Sequence, residues 1–218
     1  MKIIFKGLGL SALILFFISG ITLAGGGVKV NVDPNPYKII MKKAELHNSG
    51  TGEWVTAGEG DLTVDIASAE AGGLAAGYVS GTAIPEGTYD QIRVTISRDI
   101  TVKASYTDAA GAFGGGAGAA YYTIDETGIG GSIQTSNDSG VWAEGTCQIP
   151  ASVSGVDTEL GTYTDTYTFS SPITVAKGST QKVRVKFGVT NATTFEQTGL
   201  GTAVAYPSTP DVEVTIVD

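Results

Sequence analysis

His47 and Cys147 are the only imidazole and the only thiol in the 218 residues. A cysteine nucleophile needs a lowered thiol pKa and a base beside it. Cys147 lies in Val141-Trp142-Ala143-Glu144-Gly145-Thr146-Cys147-Gln148-Ile149, where it shares a face with Val141 and Ile149. That pattern predicts a small buried apolar residue. A lone cysteine forms no internal disulfide, so pairing between chains is its remaining covalent use. His47 stands before the turn Asn48-Ser49-Gly50, as an exposed polar residue at a strand end. No G-x-S-x-G elbow is present. A zinc site needs three or four nitrogen or sulfur ligands, more than one His and one Cys supply. The sequence therefore selects no catalytic residue and no transition-metal centre.

Oxygen chemistry is the remaining option. Paired carboxylates hydrolyse glycosides only at a fixed separation. Asp61, Asp65, Asp125 and Glu126 are scattered over expected loops and wet faces, and nothing selects a pair. No required cofactor is implied. Calcium is the one metal kept open, with Asp33 and Asn35 as weak candidates, because oxygen ligands are plentiful but no calcium-loop motif occurs. Trp54 and Trp142 are the candidate ligand-binding residues, since sugars stack on flat aromatic faces. Trp54 starts a strand beside the Gly50–Gly52 turn and has the burial tendency of a core residue. Trp142 has the opposite parity to Cys147, so a buried Cys147 sends it outward or against a second layer.

The elements that position these residues read as strands. Val28, Val30 and Val32 alternate with Lys29, Asn31 and Asp33. The same alternation recurs at Ile92–Ile96, Val183–Val189 and Val212–Ile216. Period-two patterns with one apolar face describe antiparallel strands wet on one side. Asp33-Pro34-Asn35-Pro36, Asn48-Ser49-Gly50, Pro85-Glu86-Gly87 and Ala176-Lys177-Gly178 supply the turns. In Tyr37–His47 the apolar parity switches between Met41 and Ala44; a β-bulge at Lys42-Lys43 would restore one face, the alternative being that both faces are partly covered. Thr162, Thr164, Thr166 and Thr168 form a solvent face opposite Tyr163, Tyr167 and Phe169. Ser68–Ala76 offers a helical turn or two, interrupted by Gly72-Gly73. Ala109–Ala120 reads AAGAFGGGAGAA, a mobile loop or an insertion unable to pack a core. Pro85 and Gly87 set a corner before Tyr89, with Gly87 at positive φ and the Tyr89 hydroxyl tied to nearby backbone.

Residues 1–24 have the layout of a secretory signal. Lys2 and Lys6 precede an uncharged run from Leu8 to Leu23, and small residues stand at the cleavage point after Ala24. Residues 25–218 then form a single domain, with 106–137 as a loop-rich insertion. A membrane association is expected only through an uncleaved signal. Charged residues are 16% and the net charge is −9, which excludes a default nucleic-acid surface. Gly at 31 residues, with abundant Thr and Ala, favours strand and turn over helix. The expected fold is an all-β antiparallel β-sandwich of transthyretin or immunoglobulin type, with a Gly-rich loop in the middle.

The succession Val28-Lys29-Val30-Asn31-Val32-Asp33-Pro34, Ala44-Glu45-Leu46-His47, Gly52-Glu53-Trp54-Val55 and Ile84-Pro85-Glu86-Gly87-Thr88-Tyr89-Asp90-Gln91-Ile92-Arg93 carries a resemblance. It resembles a secreted prokaryotic family known as domain of unknown function 4382. Pro172-Ile173-Thr174-Val175 and the Lys182–Val189 strand fit the second half of such a domain. The resemblance implies a carbohydrate-binding-like, transthyretin-like β-sandwich and export. It transfers no catalytic residue. The middle of the chain departs from the pattern. So do the Asp33-Pro34-Asn35-Pro36 turn and the missing lipoprotein cysteine.

The functional expectation is a non-enzymatic, exported binding module for polysaccharide or another surface ligand, in the periplasm, on the cell surface or outside the cell. The alternative is a structural subunit of an extracellular fibre or matrix, with copies of itself as partners. There Gly25-Gly26-Gly27 would lead a donor strand, Val28–Val32, into a neighbour's sheet.

Overall fold

The computed structural model describes residues 27–68, 84–176, 182–208 and 210–217. The leader 1–24 and all of the helical-turn candidate except Ser68 lie outside them. In chain order the strands are β1 (Lys29–Val32), β2 (Tyr37–Asn48), β3 (Trp54–Asp65), β4 (Gly87–Ser97), β5 (Asp99–Val102), β6 (Ser105–Asp108), β7 (Ala119–Thr123), β8 (Thr127–Gly128), β9 (Ile133–Ser136), β10 (Gly145–Gln148), β11 (Val156–Asp157), β12 (Thr162–Val175), β13 (Lys182–Gly188), β14 (Thr193–Gly199), β15 (Thr202–Pro207) and β16 (Asp211–Val217). The one helical element among the described residues is a 3-10 turn, Ser139–Val141. The fold is an all-β antiparallel sandwich.

The larger sheet runs β11-β12-β4-β2-β5-β10-β8, with β3 also paired to β2. The smaller runs β1-β14-β15-β9-β7-β6. β13 and β16 form a separate antiparallel pair. Two short segments, β8 and β10, pair in parallel; among the described residues every other pairing is antiparallel. Arg98 marks the place where β4 passes into β5. Its backbone N–H donates to the Gly161 carbonyl and its carbonyl accepts from Ile149, while Nε and Nη2 both donate to the Ile149 carbonyl. Two of the buried guanidinium's donors thus converge on one carbonyl, which offsets part of its desolvation cost.

Period two builds the core. Tyr37 and Ile39 of β2 join Val64, Ile66, Ile96 and Tyr163 in one cluster, and Leu46 joins Tyr89, Ile92 and Tyr167 in another. The register of β2 shifts between Met41 and Lys43 against both neighbours, which is the expected bulge. Without it Ala44 and Leu46 would face the wrong side. A third cluster holds the sheets together where Cys147 of β10 meets Phe195, Ala203, Ala205, Tyr121, Ile133 and Phe113.

Tyr89 is fully buried, and its hydroxyl donates to the Pro85 carbonyl at 2.8 Å, as a tyrosine corner requires. The role expected for Gly87 is corrected. Gly87 is not among the positive-φ residues; a Cβ there would stand 2.5 Å from Asn48 Nδ2. Close approach, not backbone handedness, calls for glycine.

Ala109–Ala120 is also corrected. Phe113 has 0% exposure and sits in the inter-sheet cluster. The Asp108 carboxylate organises the loop, accepting the N–H groups of Ala112 at 3.0 Å and Phe113 at 2.7 Å. Its backbone carbonyl accepts from Gly118. One aromatic anchor and one carboxylate replace the missing apolar pattern. Within the 106–137 segment, loops join β6, β7 and β9, which are strands of the smaller sheet.

Candidate ligand-binding surface

The outward face of the larger sheet gathers one candidate residue and a polar network. Register places Trp54 opposite His47, and Arg93 opposite Glu45. The β2–β4 register slips between His47 and Asn48, leaving Asp90 as the extra residue. A bulge re-aims a side chain, and here Asp90 Oδ1 lies 2.7 Å from His47 Nδ1. The expectation of a simply exposed histidine is therefore corrected: His47 is half-buried and packs at 5.2 Å against the Trp54 ring.

Trp54 is half-buried and belongs to none of the three core clusters. Its ring is covered by the Arg93 guanidinium, 4.4 Å from the centroid. Arg93 is itself held by Glu45, through Nε at 2.9 Å and Nη2 at 2.8 Å. Lys43 completes the group at 3.0 Å from the other Glu45 oxygen. Glu45 is 7% exposed although it stands on an outward face. Two cations hold its carboxylate, and one of them, Arg93, also lies over the Trp54 indole, so these charges are satisfied from within.

Trp142 is arranged differently. It is 43% exposed, whereas Cys147 is 1% exposed, so the indole turns outward as parity allows. Asp138 caps the preceding 3-10 turn and the Trp142 N–H donates to the Ser139 carbonyl. The indole Nε1 donates to the Ala104 carbonyl at 3.1 Å, which fixes the ring plane. Tyr122 packs against one side, with centroids 5.9 Å apart. The Lys103 ammonium sits 4.6 Å from the ring centroid. Main-chain bonds to Asn35 and Pro36 fix Lys103 at its corner. Sequence spacing did not reveal Lys103 or Tyr122, because turns and a sheet crossing separate them from Trp142.

The other candidates stay apart. Asp33 Oδ1 accepts the Asn191 N–H, and Asn35 donates its backbone N–H to the Lys103 carbonyl. Neither joins a cation cage: among the described residues, no group of three or more His, Cys, Asp or Glu is placed to hold a metal. Asp61 pairs with Lys42, Asp65 accepts the backbone N–H of Tyr37 and Ala67, and Glu126 accepts that of Gln134. Burial pushes the Cys147 thiol up to about 12, and so removes the thiolate at neutral pH.

The sequence profile of a domain of unknown function, DUF4382, matches residues 37–202. The chain belongs to this family. The matched span of DUF4382 holds both tryptophans, Lys103 and the Glu45–Arg93 network, and begins after β1. No curated protein and no solved structure matches the chain.

Proposed function

We propose that this DUF4382 protein is an exported, non-enzymatic binding module that recognises polysaccharide on the cell surface or beyond it, with Trp142 as its stacking platform. The carrying observation is the exposed indole, fixed in plane by the Ala104 carbonyl and flanked by Tyr122. A rigid aromatic contributes contact area at small entropic cost. The secretory layout of residues 1–24 supports export. Of the two tryptophans, Trp54 is the lesser candidate, because it is half-buried and the cation over its ring, Arg93, is locked in place by Glu45.

Affinity electrophoresis through a panel of soluble polysaccharides tests the proposal. Retardation in at least one gel should fall roughly tenfold or more in Trp142→Ala, the cost of losing one central aromatic contact. Retardation unchanged by Trp142→Ala would overturn it.

Assembly by strand donation is the second possibility, favoured by the place of β1 at the edge of the smaller sheet. In this structure β1 pairs with β14 of its own chain. Gly27 is explained by contact: a Cβ there would meet the Gln197 carbonyl oxygen. Deletion of residues 25–33 should abolish polymers if exchange of β1 builds them; polymers that persist would rule it out.

A further inference from the structure

We infer that the Trp142 platform takes an acidic polysaccharide, with Lys103 receiving the carboxylate of a uronic-acid unit whose sugar face lies on the indole. This rests on the polysaccharide proposal and names its ligand class. The cations whose side chains the structure describes are, Lys103 apart, already engaged. Lys29 pairs with Glu196, Lys38 with Glu144, Lys42 with Asp61, and Lys43 and Arg93 with Glu45. Arg98 directs two donors at the Ile149 carbonyl. Lys103 has no carboxylate within ion-pair distance among the described residues; its neighbour is the Trp142 ring. Glu144, close in sequence to Trp142, is taken by Lys38 through both oxygens at 2.7 and 2.8 Å. An ammonium with three donors and no acidic partner among the described residues thus stands beside an exposed aromatic surface.

Ammonium and indole together recognise a ring with an apolar face and a carboxylate at its edge. A neutral sugar would use the indole and leave the ammonium to water. The net charge of −9 opposes a polyanion at long range. The attraction must therefore act locally, inside the Debye length of about 8 Å at physiological salt. That makes the comparison of a polyuronate with its own neutral ester more telling than a salt series.

The experiment uses the secreted chain and two polymer pairs: polygalacturonate with its methyl ester, and alginate with its propylene glycol ester. Affinity electrophoresis at fixed ionic strength should show at least one acid bound about tenfold more tightly than its ester, one charge-assisted contact's worth. Lys103→Gln should abolish that preference, so that this variant binds acid and ester equally, with the far-UV spectrum unchanged. Lys103→Arg should retain it. Equal binding of acid and ester, or a preference that survives Lys103→Gln, overturns the acidic-ligand inference while leaving the polysaccharide proposal standing. Binding of neither acid also overturns it. Binding insensitive to Trp142→Ala overturns both.

Discussion

Trp54 and Trp142 each hold a cation over the indole, Arg93 at 4.4 Å and Lys103 at 4.6 Å. The difference lies in what else the cation touches. Arg93 also grips Glu45 with two nitrogens, and Glu45 is buried beneath that contact. Lys103 has the ring and no acid among the described residues. One aromatic–cation pair closes over a charge inside the sheet face; the other carries a charge with no acid beside it among the described residues, the charge we propose meets a ligand. The same local contact is thus structural in one region and available in the other. A count of aromatic or cation–π contacts would miss the distinction. The third member of each cluster decides it.

The largest effect is expected where the cation is shared. Arg93→Ala leaves the Glu45 carboxylate with Lys43 alone. Breaking a buried pair from one side costs about 3–5 kcal/mol. Lys43 remains and Arg93 is 33% exposed, so about 2 kcal/mol is the expected loss after allowing for solvent screening. A urea titration reads it as a lower midpoint at unchanged slope. An unchanged midpoint would erase the contrast between the two tryptophans.

The next effect concerns what holds the Trp142 side of the molecule together. Asp108 organises the Gly-rich loop behind the inter-sheet cluster. Burial tends to raise its pKa, but the N–H groups of Phe113, Ala112 and Gly111 outweigh burial and hold it below the ordinary carboxylate value. In the unfolded chain this group titrates at about 3.9. The stabilisation is therefore whole above that pH and is lost as pH falls through the lower folded value. Asp108→Asn turns an NH2 toward N–H donors and should lower the urea midpoint at pH 7 and pH 5 by the same amount. The gap should close below about pH 4 as the wild-type carboxyl protonates. A gap that persists undiminished to pH 2 would remove the ionised carboxylate from the explanation.

Strands were legible because one buried face imposes period two on any sequence that lines it. The bulge at Lys42-Lys43 was legible for the same reason, since Met41 and Ala44 broke the parity that the core needs. Tyr89 announced its corner through Pro85 and Gly87, although Gly87 serves close packing against Asn48 rather than a left-handed turn. Phe113 was not legible as an anchor. A single aromatic in a glycine run has no periodicity, and Asp108 acts through backbone N–H groups that any sequence would offer. Nor were the two cation–indole pairs. Trp54 and Arg93 come together through β2, which lies between β3 and β4, and Lys103 is separated from Trp142 in sequence by β6, β7 and β9 of the smaller sheet and β8 of the larger. Such neighbours depend on pairing across the sheet, which local pattern does not encode. The tryptophans could be named as aromatic candidates; their different surroundings could not.

The smallest expected change is the sharpest test of the contrast. If Lys103 is free of structural duty, Lys103→Gln should shift stability by no more than about 0.5 kcal/mol, as for surface substitutions away from special features. The cation–π contact it gives up is worth about 0.5–1 kcal/mol at an exposed site, and water recovers part of that on hydrating the indole. Its backbone bonds to Asn35 and Pro36 are untouched by the substitution. Differential scanning calorimetry on the wild type, Lys103→Gln and Arg93→Ala, run side by side, should therefore give one curve displaced and two superposed. A Lys103→Gln curve displaced as far as Arg93→Ala would mean that Lys103 holds Trp142 in place, as Arg93 holds Trp54. Its freedom to meet a carboxylate would then have to be abandoned.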